Sequence, residues 1–174
     1  MRCDASLHAS FALIATSVPH SSTGFYLCAG KTATITVPES VVAAGGWSVL
    51  VGAATSDMSK KPTYKRLDRV SVVYPIDRSV HVTIISPLGG GIYLQIPIGS
   101  DLGMVEVLIS GGVIAAPFFR ADAVQTTSTS EWDTPASSAH SREAKAPWAD
   151  FETSHFLMQA RWFLCLFYLF VSWA

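Results

Sequence analysis

The residues from which a search for metal chemistry starts are the five histidines: His8, His20, His81, His140 and His155. No two of them are three or four residues apart, so no pair lies on one helical face as the His-Glu-x-x-His motif of zinc peptidases requires. Glu152 precedes His155 by three residues, but a lone Glu-x-x-His is a frequent coincidence, and we interpret His155 as a solvent-facing helix end. His81 falls within a strand pattern. The sequence therefore predicts no metal ligand, no cofactor-binding residue and no catalytic residue in this chain.

Other catalytic patterns are also missing from the sequence. It contains no Gly-x-Ser-x-Gly nucleophile elbow. The glycine run Gly89–Gly91 lacks the lysine and hydroxyl residue of a phosphate-binding loop, and we interpret it as a turn of a sheet. Asp101 and Glu106 are separated by an odd number of residues, which places them on opposite faces of a strand. They are therefore not a carboxylate pair of the kind that hydrolyses glycosides.

One charged cluster, Lys60–Arg69, could contact a ligand, because five of its ten residues are basic. Such a cluster can face an acidic glycan, a phosphate or a carboxylate of a partner. The alternative is a solvated loop that precedes the strand starting at Val70. The candidate ligand contacts within it are Lys61, Tyr64, Lys65 and Arg66.

Composition limits the class of protein. The chain has 174 residues, a hydrophobic fraction of 49%, a charged fraction of 14% and a formal net charge of −1. Low charge with high apolar content argues against disorder. The absence of a basic excess argues against a nucleic-acid partner. The cysteines Cys3, Cys28 and Cys165 form no recognisable spacing motif, and we interpret them as buried or incidental thiols.

Short segments rich in β-branched residues recur through the middle of the chain, with glycine or proline in nearly every gap. This spacing predicts an all-β fold, a two-sheet β-sandwich. Helical patterns are scarce: one turn is predicted over Pro38–Ala44, and two to three turns near Ala146–Glu152. The predicted strands are Thr32–Val37, Trp47–Gly52, Val70–Tyr74, His81–Ile85, Ile92–Ile96 and Met104–Ile109.

The two ends of the chain lack the strand pattern of the middle and contain apolar runs of other lengths. The apolar stretch Phe11–Ala15 is shorter than the ~7–15 residues of a secretory signal, so we predict no signal peptide. Residues 162–174 carry no charge, yet they are too few for a membrane-spanning helix, which needs ~20. This hydrophobic C-terminal tail has no predicted place in the fold. Earlier in the chain, residues 120–147 are polar and are interpreted as a linker.

Several stretches, in order, resemble the enhancin-like, mucin-degrading zinc metallopeptidases, metallopeptidase family sixty. Thr23–Gly30 is similar to the family opening Thr-Gly-Leu-Tyr-Leu-Pro-Ala-Gly, and Pro87–Leu94 is similar to Pro-Phe-Gly-Gly-x-Ile-Tyr. The other matching stretches are Gly46–Ala53, Lys61–Arg66, Ile109–Val113, Ala115–Phe119 and Ala146–Thr153.

The resemblance implies a domain layout. Residues 1–22 would be a lead-in, 23–119 the β-sandwich lobe, 120–147 the polar linker, 148–159 the start of the next family segment, and 160–174 a tail outside the family. In the family, the zinc ligands lie in a later helical lobe. We therefore expect a truncated N-terminal portion of such a metallopeptidase, itself non-catalytic and without a cofactor, whose full-length relatives use zinc to cleave mucin-type glycoproteins.

A second hypothesis is a non-enzymatic binding module. The resembling family includes channel-associated regulators, so the partner would be a glycoprotein glycan or a membrane protein. The resemblance also implies an extracellular or membrane-associated location. The sequence does not identify the substrate, the partner or the oligomeric state.

Overall fold

The computed structural model describes residues 7–14, 20–56, 59–63, 67, 70–100, 102–121, 126–132 and 146–161. Within these ranges the chain is mostly β, with two short helices. The elements are β1 (Leu7–Ile14), β2 (His20–Leu27), β3 (Thr32–Thr36), α1 (Glu39–Ala44), β4 (Ser48–Val51), β5 (Val72–Pro75), β6 (His81–Ile85), β7 (Gly90–Gln95), β8 (Met104–Gly111), β9 (Val113–Ala115), β10 (Phe118–Ala121), α2 (Thr129–Trp132), β11 (Trp148–Thr153) and β12 (Leu157–Arg161).

Two antiparallel sheets form the predicted sandwich. One has the strand order β1-β8-β3-β6, and the other has the order β5-β4-β7-β2-β9. Strand β8 shows why the sequence folds this way, since Val105, Val107 and Ile109 are buried while Met104 and Glu106 are exposed. Alternation of this kind turns one face of each sheet toward a shared apolar core. The all-β prediction, its six strands and the turn at α1 are confirmed.

The five-stranded sheet is buried on both faces. In β7, Ile92 and Leu94 belong to the core between the two sheets, while Tyr93, which points the other way, is also fully buried. A third sheet, with the order β10-β11-β12, lies over this outer face. Strands β10 and β11 are parallel, and β11 and β12 are antiparallel.

The third sheet corrects two sequence predictions. The helix predicted near Ala146–Glu152 is wrong, because this segment forms strand β11. Its carboxylates alternate with Ala149 and Phe151, and a period of two belongs to a strand. His155 is exposed, as predicted, but it lies in the turn between β11 and β12 rather than at a helix end.

The turn predicted over Gly89–Gly91 is displaced: the backbone turns at residues 86–89, and the next two glycines begin β7.

The predicted domain boundaries stay a prediction, but the structure shows which elements they contain. The lead-in, 1–22, holds β1 and the start of β2, and β1 pairs with β8 along its whole length. The linker, 120–147, holds the end of β10 and α2, and its residues 122–125 and 133–145 lie outside the described ranges. Strand β12 ends at Arg161, and the apolar run 162–174 also lies outside the described ranges. No helix of the described ranges is long and apolar enough to cross a membrane.

Cys28 is buried, as one of the two predicted alternatives has it, but it is not a free thiol. It is buried beside Ile114 and Ala116, and it is half of a disulfide. Cys3 and Cys165 are the other cysteines of the sequence, so the second half lies outside the described residues.

Trp47 is buried in the core together with a polar group, its indole N–H. Its side chain is 1% exposed, and its indole Nε1 has no hydrogen-bond partner among the described residues. We expect Trp47→Ala to lower the free energy of unfolding by about 3–5 kcal/mol, because it leaves a large cavity. Trp47→Phe should cost much less, because it keeps an aromatic ring and removes an unsatisfied buried donor. Urea denaturation followed by circular dichroism measures both; equal losses would mean that the N–H has a partner.

Candidate functional site

A cluster of polar side chains lies where the third sheet meets the outer face of the five-stranded sheet. Asp150 and Glu152 are two residues apart on β11, so both point to the same side. Both are buried, at 1% and 6% exposure, which is rare for carboxylates unless they are paired. We call this group the carboxylate cluster; its members are Ser21, Ser22, Tyr93, Arg120, Asp150, Glu152 and Gln159.

Asp150 accepts hydrogen bonds from three different strands. The Ser22 hydroxyl of β2 donates to Oδ2 at 2.6 Å, and the Tyr93 hydroxyl of β7 donates to Oδ1 at 2.9 Å. Gln159 Nε2 of β12 donates to the same Oδ1 at 3.2 Å and to the Tyr93 hydroxyl oxygen at 2.6 Å. One carboxylate therefore connects β2, β7 and β12.

Glu152 forms the ionic half of the cluster. Its Oε1 accepts from Arg120 Nη2 at 2.8 Å and from the Ser21 hydroxyl at 3.2 Å. Its Oε2 accepts from the Ser22 backbone N–H at 2.7 Å. The Arg120 and Glu152 side chains are 11% and 7% exposed, so water screens this ion pair little.

An irregularity in β2 makes Ser21 and Ser22 available to the carboxylates. Adjacent residues of a regular strand point to opposite faces. Between β2 and β7, however, residues 23–25 stand opposite the single residue Ile92, so the strand bulges directly after Ser22. A bulge bends its strand and frees backbone groups from the ladder. Here it leaves the Ser22 N–H for Glu152, and Thr23 fills the gap by donating its hydroxyl to the Ile92 carbonyl at 2.8 Å.

A glycine in β7 makes room for Tyr93. Gly91 lies two residues before Tyr93 and so faces the same side of the sheet. A Cβ atom at Gly91 would collide with the Tyr93 hydroxyl and would lie 2.9 Å from Gln159 Nε2. The absent side chain therefore permits the contact among Tyr93, Gln159 and Asp150.

The described residues of the cluster carry more acidic groups than basic ones. Among the described residues that hydrogen-bond within it, two carboxylates share one guanidinium, that of Arg120. Burial, the largest effect, raises the pKa of Asp150; Glu152 raises it further, while the hydrogen bonds from Ser22, Tyr93 and Gln159 lower it. Burial and the charge of Asp150 raise the pKa of Tyr93, so that phenol stays neutral. The cluster can therefore accept a proton, and its hydrogen bonds fix the position of the third sheet.

Two adjoining cavities lie beside the cluster, along β12. The first, of about 240 Å³, is lined by His20, Tyr93 and His155, and the second, of about 600 Å³, by Tyr26 and Trp148. Both also share a set of lining residues, so we treat them as one depression and call it the β12 groove. The shared residues are Ala53, Leu157 and Gln159.

The residues predicted from sequence as ligand contacts are not in this cluster. Lys61 is exposed in the segment between β4 and β5, and Tyr64, Lys65 and Arg66 lie outside the described residues. His81 is on β6, as predicted, where it is exposed and its Nδ1 lies 2.9 Å from the Thr36 hydroxyl.

Sequence reasoning missed the carboxylate cluster. The available signal was the Asp-x-Glu pattern at 150–152, within an otherwise apolar stretch, 146–152, of a chain with few charges. The helix predicted for that stretch obscured the two-residue period that places both carboxylates on one side of a strand.

The described residues do not fit a metal ion. No group of three or more histidine, cysteine, aspartate or glutamate side chains within them is arranged to hold one. Asp150 and Glu152 are already bonded to hydroxyls and to the guanidinium of Arg120, and a cation beside a carboxylate pair disfavours a second one.

The fold and this site define a class: a layered β lobe whose buried polar groups join its sheets. Residues 12–110 match the family model for the N-terminal domain of M60-like peptidases, and the chain belongs to that family. The family resemblance found in the sequence is therefore confirmed.

Curated relatives carry a different name. The chain is 33% identical over 137 residues to a TRPM8 channel-associated factor homolog of Danio rerio, and 31% identical over 137 residues to the Homo sapiens TRPM8 channel-associated factor 2. Each match covers 79% of this chain and 14% of the relative. The chain thus spans about a seventh of the length of these relatives.

Solved structures share the fold. IMPa from Pseudomonas aeruginosa, in complex with an O-glycopeptide, matches with a TM-score of 0.68 at 15% identity, over 90% of this chain and 18% of that one. The M60 catalytic domain of ZmpC from Clostridium perfringens, in complex with the sialyl T antigen, matches with a TM-score of 0.62 at 12% identity, over 94% of this chain and 36% of that one. At these identities the likeness concerns the fold.

The ion pair gives a measurable coupling. Arg120→Met should lower the free energy of unfolding by about 3–5 kcal/mol, because Glu152 stays buried without its cation. Adding Glu152→Gln should recover part of that loss, so the double variant is less destabilised than the sum of the two single variants. Chemical denaturation of all four proteins measures the coupling. Arg78→Met is the control, since Arg78 and its partner Asp77 are exposed, and strictly additive losses at positions 120 and 152 would contradict the ion pair.

Proposed function

We propose that this chain acts as the non-catalytic β lobe of an M60-like protein. The observation that carries the proposal is the use of its buried carboxylates. Among the described residues, Asp150 and Glu152 are the buried acidic side chains, and both are occupied in joining sheets. The sequence has no His-Glu-x-x-His motif with which to hold zinc and activate water. The lobe would thus supply scaffold, and a longer relative would supply zinc and hydrolysis.

Metal content and proteolysis test the proposal directly. The full chain, incubated with zinc and desalted, should retain well under one zinc per molecule by mass spectrometry, because the described residues offer no group of metal ligands and the sequence has no His-Glu-x-x-His motif. It should leave an O-glycopeptide uncut, while IMPa, a metallopeptidase, serves as the positive control on the same substrate. Stoichiometric zinc together with cleavage that a chelator abolishes would overturn the proposal.

A binding role is the second candidate, and the position of the basic segment favours it. Lys60–Arg69 ends directly before Val70, and Val70 lines the larger cavity of the β12 groove. That cavity also presents the aromatic rings of Tyr26 and Trp148. Aromatic rings pack on the apolar faces of sugars, and basic side chains attract acidic groups.

For this second candidate function, we propose an acidic glycan of a glycoprotein as the ligand. Support comes from solved neighbours in complex with an O-glycopeptide or the sialyl T antigen. The name of the curated relatives supports a different partner, a membrane protein. An extracellular or membrane-associated location is part of the same proposal.

Glycan binding can be tested residue by residue. On an array that carries sialylated and unsialylated T antigen, we expect a signal for the sialylated form that falls at least about fivefold with Tyr64→Ala, Lys65→Ala or Trp148→Ala. It should also weaken with added salt, because salt screens exposed charges. Met104→Ala is the matched control, since Met104 is exposed on another sheet. No signal, or equal loss in the control, would remove the glycan hypothesis and leave the membrane-protein partner.

A further inference from the structure

The third sheet is joined to the rest of the lobe by apolar burial, with Ala149 and Phe118 at 0% and 4% exposure, and by the polar contacts of the carboxylate cluster. The large apolar core contains no residue of β10, β11 or β12. A small apolar cluster around Cys28 and Ala146 lies at the junction, and the Ala146 N–H, just before β11, donates to the Ala115 carbonyl of β9 at 3.3 Å. Beside this apolar contact, the carboxylate cluster provides bonds to β2 and β7. The strength of the junction therefore depends in part on the charge state of the cluster.

Asp150 is the group of the cluster whose charge lacks a partner. Within the described part of the chain, Arg120, the cation of the cluster, bonds to Glu152, while Asp150 receives neutral donors only. An isolated buried charge is costly, and protein interiors commonly respond by binding a proton. The other titratable or charged groups on the elements packed around Asp150 are His20 and Tyr26 on β2, Tyr93 on β7, Arg120 on β10, Glu152 on β11, His155 in the β11–β12 turn and Arg161 on β12.

We propose that the carboxylate cluster is a proton-dependent latch, in which a proton on Asp150 tightens the attachment of β11 and β12 to β2 and β7. The excess negative charge disappears when Asp150 is neutral, and its hydrogen bonds to Ser22 and Tyr93 remain possible because hydroxyl groups both donate and accept.

The sign of the effect follows from linkage. Burial raises the pKa of Asp150 above that of an unfolded or detached aspartate. The attached state therefore binds the proton more tightly. Its stabilisation is complete below the detached pKa and is lost as the pH rises through the attached pKa.

Gln159 connects this latch to the surface. Its Nε2 donates to Asp150 and Tyr93, and the same side chain lines both cavities of the β12 groove. Leu157 lines both cavities as well, so β12 forms a wall of the groove. Tightening the latch thus fixes that wall, and the groove becomes better ordered as the pH falls.

Hydrogen exchange of the full chain tests the latch. After correction for intrinsic exchange rates, protection of the β11 and β12 amides should rise by up to about tenfold for each unit of falling pH, the limit for one proton. Protection of the β3–β8 pair should change less and serves as the internal reference. In Asp150→Asn, which is neutral at every pH, the dependence should flatten, whereas Asp77→Asn, an exposed aspartate, should keep it.

A second measurement keeps the test decisive if Asp150→Asn fails to fold. Carbon-13 titration of the wild-type Asp150 carboxyl should give a pKa above the ordinary value of about 3.9. A pKa at or below that value would overturn the latch. Protection of β11 and β12 that is flat, or that falls with pH in the wild type, would overturn it as well.

Discussion

The burial of Asp150 and Glu152 against β2 is the constraint on which the layered arrangement of this lobe depends. Two carboxylates leave water, and they are compensated by hydroxyls, one backbone N–H and the guanidinium of Arg120. Removing one partner of such a network leaves a buried group unsatisfied, which costs more than the contact gains in isolation. The β2 bulge and the glycine at position 91 are local features that make this compensation geometrically possible.

That arrangement separates the roles of the two faces of the five-stranded sheet. Its inner face places Val49, Ile92 and Leu94 in the large apolar core that it shares with the four-stranded sheet. Its outer face carries Tyr93 and Ser22, whose hydroxyl groups donate hydrogen bonds to Asp150 of β11. Apolar packing specifies that layers meet, whereas hydrogen bonds with fixed partners specify the register at which they meet.

The sandwich was predictable from sequence, and the third sheet was not, for a physical reason. Strands β3 and β8 alternate apolar and polar side chains, as one buried and one exposed face require, while β4 and β7 are short apolar runs preceded by glycine. Strand β11 buries its charged residues, so the usual link between charge and solvent fails there. The partners of Asp150 and Glu152 on β2 are about 130 residues away along the chain, and their pairing has no local signature. The basic segment was visible in the sequence, but of its candidate contacts only Lys61 lies within the described part of the chain.

The strands that cover the outer face lie beyond the residues that match the family model. The family boundary falls at residues 12 and 110, within β1 and near the end of β8. A recombinant fragment cut at those limits would lack β9 to β12 and part of the strand that borders β8. Leu50 and Tyr93, which are 2% and 0% exposed in the intact lobe, would then face solvent and invite self-association. The strands that cover one another therefore extend from the start of β1 through Arg161.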